Sequence, residues 1–193
     1  MIGLLGIFFA AFLINNILLM RFLALCSFFG VSTKLDTSIG MSSAVIFVMT
    51  ISSAISWIVY HFVLGPFHLE FLRTAVFILT IASFVQLVEL YLKKMVPTLY
   101  RAMGIYLPLI TTNCAILAVA FLAIDYRYNF IEAMIYSIGV SAGYSLAIIL
   151  FAYIRERIVL APIPKWFQGY PIAFITAALM SLAFFGFSHM FGL

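Results

Sequence analysis

Charged residues are scarce in this chain of 193 residues, which has 10 Lys and Arg, 6 Asp and Glu, and a formal net charge of +4. They make up 8% of the sequence, whereas apolar residues make up 66%. A soluble domain has about 25% charged residues and at most about half apolar ones. The composition therefore excludes an ordinary soluble domain, and the few scattered basic residues do not form a nucleic-acid surface.

Familiar metal-binding and nucleotide-binding motifs are also lacking. The two cysteines, Cys26 and Cys114, lie far apart in apolar stretches, with no CxxC pair or Cys/His cluster, which argues against a zinc site or a disulfide scaffold. Six membrane helices of about 20 residues each would use most of the chain. No Rossmann or P-loop domain fits in the remainder, so we expect no independent catalytic site.

Apolar residues form six stretches without the alternation of a barrel strand. In lipid, each segment must satisfy its own backbone groups, so these stretches are predicted to be helices. The predicted spans are residues 3–24, 39–63, 72–94, 104–124, 130–154 and 170–191. The sequence thus predicts an all-α integral membrane protein, with residues 1–193 forming a single membrane domain.

The basic residues of the loops predict the orientation of these spans. One set of loops holds seven Lys and Arg: Lys34, Lys93, Lys94, Arg101, Arg155, Arg157 and Lys165. The opposite set holds two, Arg73 and Arg127. Because basic loops stay in the cytoplasm, we expect the loops after spans one, three and five there and both termini on the outer, periplasmic side.

Two halves of the chain, approximately residues 1–95 and 100–193, resemble each other weakly at an offset of 97 to 99 residues. In this register Asn16 lies opposite Asn113, and the stretch 39–42 lies opposite 138–141. Each half contains three predicted spans, so the second half enters the membrane from the other side. This pattern predicts two inverted three-helix repeats with a site near the membrane midplane.

Segments one and four carry polar or helix-breaking residues at corresponding positions. Pro108 and Gly104 disfavour a straight fourth helix, and Arg21 interrupts the first apolar segment. We expect both segments to be broken helices lining a central site; the alternative is two kinked helices joined by polar contacts. The residues expected to line the site are Asn15, Asn16, Thr111, Thr112 and Asn113.

The relative depth of the two cysteines in the membrane depends on whether the first segment is broken. Cys26 lies ten residues after Asn16, which in a straight helix places it about 15 Å away, close to the cytoplasmic surface. Only a broken or re-entrant first segment would bring Cys26 to the depth of Cys114. Otherwise each cysteine is a small buried apolar residue.

Five stretches carry a resemblance to a known family. They are NNILLMRFLALC (15–26), VSTKLDTSIGM (31–41), LPLITTNCA (107–115), IRER (154–157) and ALMSLAFFGF (178–187). Together they closely resemble the A subunits of Rnf electron-transport complexes, and the resemblance runs nearly end to end. The E subunit of the sodium-translocating NADH:quinone reductase has the same general pattern.

The resemblance implies an electron-transfer subunit of an ion-translocating oxidoreductase in the bacterial inner membrane. It implies that Cys26 and Cys114 are ligands of a [2Fe-2S] cluster shared with a homologous membrane subunit of opposite orientation, of the Rnf E type. Further subunits and membrane lipid are the other expected partners, and Na⁺ or H⁺ is the coupled ion. Two thiolates cannot complete the four-cysteine shell of such a cluster.

Two other functions stay open at this stage. Inverted repeats with broken helices are also typical of secondary transporters, and a membrane scaffold would need the cysteines only for packing. Gln86 and Glu89 are candidates for an ion pathway, although Glu89 can instead pair with Lys93 one turn further on. Arg21 either adds positive charge near the cysteines or extends to the membrane interface.

Overall fold

The computed structural model describes residues 3–65, 70–95, 109–110, 112–162 and 164–190. All regular secondary structure in these ranges is helical, which confirms the predicted all-α class. The helices are α1 (Leu4–Phe9), α2 (Leu25–Val31), α3 (Leu35–Val59), α4 (Arg73–Met95), α5 (Cys114–Asp125), α6 (Phe130–Val159) and α7 (Tyr170–Met190). Short π-helical turns follow α1 (Ala10–Ile14) and α3 (Tyr60–Leu64), and 3-10 turns span Glu70–Leu72 and Lys165–Phe167.

Each of the six predicted apolar stretches contains a helix. Among the described residues, three helices are long and apolar enough to cross a membrane: Leu35–Leu64, Arg73–Leu90 and Phe130–Val159. The other apolar helices are shorter, at Leu4–Ile14, Cys114–Asp125 and Tyr170–Gly186. The helices of predicted segments one and four are thus too short to span a bilayer alone, since a crossing needs about 20 residues.

Helices α3 and α6 form the antiparallel centre of the structure. At one end, the Leu35 N–H donates to Glu156 Oε1 at 3.0 Å. At the other, Trp57 Nε1 donates to the Tyr128 carbonyl at 3.1 Å. We call these the Glu156 end and the Asn129 end, after the two ends of α6. Small buried residues such as Ser42 let the helix backbones approach closely.

Helix α6 starts with a capping box at the Asn129 end. The Glu132 carboxylate accepts a hydrogen bond from the Asn129 N–H at 3.0 Å, and the Asn129 side chain accepts one from the first turn. These contacts satisfy N–H groups that otherwise lack partners. Helix α6 has 30 residues and is therefore about 45 Å long. The depth of each neighbouring residue is stated as its position along α6.

The first apolar segment is interrupted, as the sequence predicts. Its helical part ends at Ile14, and residues 15–24 are turns and irregular backbone before α2 begins at Leu25. Phe22 and Ala24 have positive φ angles of 54° and 63°, which cost about 1–2 kcal/mol each in a residue with a Cβ. Surrounding contacts must hold this conformation in place.

The break positions α1 and α2 along different halves of α6. Phe8 of α1 lies against Gly139, and Phe12 of the following π-helical turn lies against Gly143, so α1 and this turn run from the Asn129 end toward the middle of α6. In α2, the Phe29 carbonyl accepts a hydrogen bond from Arg155 Nη1 at 3.0 Å, near the Glu156 end. The irregular residues between α1 and α2 therefore lie near the middle of α6.

The fourth segment is also interrupted before its cysteine. Leu109 and Ile110 are helical, Thr112 is in a turn, and α5 begins at Cys114. Gly104, Pro108 and Thr111, from which a break is predicted, lie outside the described residues. Helix α5 ends at Asp125, close to the start of α6, so it runs from the middle of α6 to the Asn129 end.

Candidate functional site

Cys114 is the first residue of α5, and its sulfur receives a hydrogen bond from the other cysteine-bearing segment. The Ala24 N–H donates to Cys114 Sγ at 2.9 Å. Ala24 directly precedes α2, in which Cys26 is the second residue. A backbone donor two residues before one cysteine therefore contacts the sulfur of the other, which brings the two cysteine motifs into one place.

The left-handed conformation of Ala24 makes this contact possible. It turns the chain so that the Ala24 carbonyl starts α2, accepting a hydrogen bond from the Phe28 N–H at 3.0 Å, while its N–H stays free to meet the sulfur. Ser27 Oγ also donates to the Ala24 carbonyl, at 2.9 Å. Alanine is not a typical left-handed residue, so tertiary contacts hold this turn.

Tyr144 defines the depth of the site. Its hydroxyl makes a hydrogen bond of 2.9 Å with Ser27 Oγ, and Ser27 directly follows Cys26, while Cys114 Sγ is hydrogen-bonded to the nearby Ala24 N–H. Tyr144 is fully buried and lies at the midpoint of α6. Both cysteines therefore lie at the level of the middle of α6, the depth that the sequence predicts for a broken first segment.

The side chain of Asn113 caps α5 beside Cys114. Asn113 Oδ1 accepts a hydrogen bond from the Ala115 N–H at 3.0 Å. The residue is 3% exposed, yet its Nδ2 has no hydrogen-bond partner in the described part of the chain. The Tyr144 hydroxyl is close enough to this side chain to interact with it, although Nδ2 forms no hydrogen bond within the usual distance and angle. One amide donor next to Cys114 thus remains unused.

These features suit an anionic sulfur centre. The N–H end of α5 carries a partial positive charge, and Ala24 supplies a donor to sulfur. Both thiols are exposed on the surface of the chain, where a second subunit can reach them. Within the described ranges no three Cys, His, Asp or Glu side chains group into a metal site.

The other predicted lining residues have different roles. Asn16 is fully buried, and its Nδ2 donates to the Gly143 carbonyl at 2.8 Å while Oδ1 accepts from Leu18 at 3.1 Å. It therefore joins the broken segment to α6. Asn15 and Thr112 are exposed near the two breaks, and Thr111 lies outside the described residues.

Arg21 points away from the cysteines. Its Nη2 donates to the Tyr126 hydroxyl at 3.0 Å, and the Tyr126 ring packs against Tyr136, with ring centroids 6.0 Å apart. Tyr136 precedes Tyr144 by eight residues, which is about 12 Å along α6. Of the two predicted roles, the structure thus favours extension of this side chain toward the Asn129 end.

Gln86 and Glu89 lie on α4, with Gln86 exposed and Glu89 partly buried. The Lys93 side chain, predicted to pair with Glu89, lies outside the described part of the structure. At the Asn129 end, Asp125 forms an ion pair of 2.8 Å with Arg73. Both members of that pair are substantially exposed.

Sequence reasoning missed Ala24, Ser27 and Tyr144. The sequence did contain a clue to Tyr144, because this tyrosine lies in the middle of a predicted span, whereas interfacial tyrosines lie near span ends. A tyrosine at mid-span needs a partner for its hydroxyl, and Ser27 provides one. No local pattern marks Ala24, whose contact depends on a residue 90 positions away.

The apolar helices and the polar site at mid-depth define a helical membrane protein with two exposed thiols. The comparison with family models identifies the family. The chain belongs to the Rnf-Nqr family of membrane subunits, whose model, described as Rnf-Nqr subunit, membrane protein, matches residues 4–191.

The similar curated proteins are A subunits. The chain is 54% identical over 178 residues, 92% of each chain, to the A subunit of the ion-translocating oxidoreductase complex of Aeromonas salmonicida. It is 51% identical over 94% of each chain to the A subunit of the Na⁺-translocating ferredoxin:NAD⁺ oxidoreductase complex of Acetobacterium woodii. It is 52% identical over 96% of each chain to the proton-translocating counterpart of Clostridium ljungdahlii. Overall identity therefore does not distinguish relatives named for sodium from those named for protons.

Proposed function

We propose that this chain is the A-type membrane subunit of an ion-translocating oxidoreductase complex and that it transfers electrons through a centre held by Cys26 and Cys114. Its end-to-end similarity to A subunits of such complexes supports the assignment to the complex. The single observation that supports the electron-transfer role is the Ala24 N–H donating to Cys114 Sγ. It brings the two cysteine motifs together at the middle of α6.

A [2Fe-2S] cluster fits the residues that are present. When bound, it supplies a one-electron redox centre. Cys26 and Cys114 would hold it as thiolates, and the Ala24 N–H would stabilise the Cys114 thiolate. The buried pair of Tyr144 and Ser27 fixes the start of α2, and therefore Cys26, against α6. Each residue thus contributes ligation or positioning.

A homologous membrane subunit of opposite orientation would supply the other two thiolates. The proposal of two inverted repeats is supported by α2 and α5, which both start at mid-depth near a cysteine and run to opposite ends of α6. It is supported further by Asn16 and Asn113, whose side chains each accept from the N–H two residues later. A partner built on the same plan presents a similar pair of thiols.

The orientation follows from the distribution of basic residues. The Glu156 end, with Lys34, Arg155 and Arg157, would face the cytoplasm, and the Asn129 end, with Arg73 and Arg127, the periplasm. In this arrangement the chain spans the bacterial inner membrane with six segments and both termini outside. The site at mid-depth then lies between electron carriers on the two sides.

The decisive experiment uses the purified complex with Cys26→Ser, Cys114→Ser or both. We expect each variant to assemble but to lose a reducible paramagnetic signal and the corresponding iron, because a hydroxyl is a poor replacement for a cluster thiolate. Ala118→Ser serves as the matched control. It adds a hydroxyl one turn further along α5 and removes no thiol, so iron and signal should remain.

The alternatives give different results. If the double-serine complex keeps its iron and transfers electrons at the normal rate, the cysteines only pack and the proposal is wrong. If the chain alone moves a solute and loses nothing with both thiols removed, it is a secondary transporter. Orientation is tested separately by labelling single cysteines, introduced at Lys34 or Arg127, from one side of oriented membranes.

A further inference from the structure

Two asparagines cap the breaks in the same way but differ in the use of their amide nitrogen. Asn16 Oδ1 accepts from the Leu18 N–H, and its Nδ2 donates to the Gly143 carbonyl at 2.8 Å. Asn113 Oδ1 accepts from the Ala115 N–H at 3.0 Å, and its Nδ2 donates to no described group. At the first break both the oxygen and the nitrogen of the asparagine amide are hydrogen-bonded, whereas at the second break only the oxygen is.

An unused amide donor is costly at this position. Asn113 is 3% exposed, and a buried N–H without an acceptor loses its hydrogen bonds to water. Capping alone does not require it, because serine, threonine or aspartate caps a helix with an oxygen and carries no such donor. The amide group at this position therefore suits an acceptor that comes from outside the chain.

The surroundings indicate what kind of acceptor it is. The next residue is Cys114, whose sulfur already receives the Ala24 N–H at 2.9 Å. Tyr144, whose hydroxyl is hydrogen-bonded to Ser27 next to Cys26, lies near the Asn113 side chain. The Nδ2 group is therefore adjacent to the place where the two cysteines would hold an anionic sulfur centre.

We propose that Asn113 Nδ2 donates a hydrogen bond to a sulfur atom of the iron–sulfur centre held by Cys26 and Cys114 and thereby raises its midpoint potential. This inference rests on the proposed function. Reduction adds one electron to the bound centre and changes no bond, so the reduced form is more negative. A donor at sulfur stabilises the more negative form, and hydrogen bonds to charged groups are the stronger kind.

Asn113→Ser in the purified complex tests the proposal. Serine keeps an oxygen that caps α5 and removes Nδ2. We expect full iron content and a midpoint potential lower by about 59 mV in a titration followed by electron paramagnetic resonance, the equivalent of an about tenfold smaller equilibrium constant for reduction. An unchanged potential with full iron content would overturn the inference and leave the proposed function intact.

Asn16→Ser is the matched control. It makes the same change at the other cap and removes a donor that is bound to the Gly143 backbone. We expect this variant to be less stable and to keep the wild-type potential. A shift as large as that of Asn113→Ser would show that loss of packing, not of a donor to sulfur, changes the potential, and would contradict the proposal.

A second measurement does not depend on any variant. In wild-type complex labelled with ¹⁵N-asparagine, the reduced centre should show a weak hyperfine coupling to one side-chain nitrogen, since a hydrogen bond to sulfur transfers spin density. Absence of this coupling from an intact reduced signal would contradict the inference. Absence of any iron in the wild-type complex would instead contradict the proposed function itself.

Discussion

Gly143 controls how closely the broken first segment approaches α6. A Cβ at this position would lie 2.6 Å from the Phe12 carbonyl oxygen and 3.3 Å from Asn16 Nδ2. The first distance is too short for carbon and oxygen, and the obstacle is backbone rather than a flexible side chain. We therefore predict that Gly143→Ala forces α1 away from α6 and weakens the hydrogen bond between Asn16 and the Gly143 carbonyl.

The size of the effect follows from three contributions. Overpacking costs about 2 kcal/mol, and the weakened hydrogen bond costs about 1 kcal/mol. Replacing glycine by alanine within a helix returns about 1 kcal/mol. The free energy of unfolding should therefore fall by about 2 kcal/mol, measured by equilibrium unfolding of the chain in mixed micelles titrated with SDS.

Gly40 offers the matched control. It lies within α3, and a Cβ there would meet nothing within 4 Å. Gly40→Ala should leave stability unchanged or raise it by up to about 1 kcal/mol, because it gains helix propensity without a clash. If Gly143→Ala has the same free energy of unfolding as Gly40→Ala, the first segment does not approach α6 as closely as described.

Three further predictions concern hydrogen bonds and charge. Ser27→Ala should destabilise the chain by about 2 kcal/mol, because it leaves the buried Tyr144 hydroxyl without an acceptor. Tyr144→Phe removes that hydroxyl and should cost only about 1 kcal/mol; equal losses in SDS unfolding would contradict this difference. Asp125→Asn removes an exposed ion pair with Arg73, so the loss should be under about 1 kcal/mol and shrink further in high salt. Arg155→Lys should cost about 1–3 kcal/mol in the same assay, because Arg155 Nη1 donates to both acceptors at the end of α2 and a lysine side chain is one bond too short to place its nitrogen there; wild-type stability would refute that role.

Composition and hydropathy were sufficient to predict the helical membrane class and most helix positions. The predicted spans 130–154 and 170–191 correspond to Phe130–Val159 and Tyr170–Met190. Helix α3, in the second predicted span, begins at Leu35, four residues before the start predicted from hydropathy. The prediction was late because the first turn of this helix carries Asp36. A carboxylate is favourable at a helix N-terminus, but it ends an apolar stretch in a hydropathy profile.

The site was predictable in part for a physical reason. Asn16, Asn113 and Pro108 disturb a helix locally, so the interruptions leave a trace in the sequence. The contact that assembles the site does not, because Ala24 adopts a left-handed conformation that its own side chain disfavours. The Ala24 N–H contacts Cys114, and a contact between residues 90 positions apart leaves no local sequence pattern.

The two short helices explain how negative charge can be accommodated at mid-depth without a basic side chain. Arg21 is directed toward Tyr126, which packs against Tyr136, and Tyr136 lies about 12 Å from Tyr144 along α6. The Ala24 N–H provides a donor at Cys114 instead, and the N-terminus of α5 adds a partial positive charge. Backbone N–H groups fixed by packing need no reorganisation when charge arrives, whereas an arginine would have to leave the interface. Two broken helices would therefore stabilise the changing charge of a redox centre with less reorganisation than two intact helices with a buried cation.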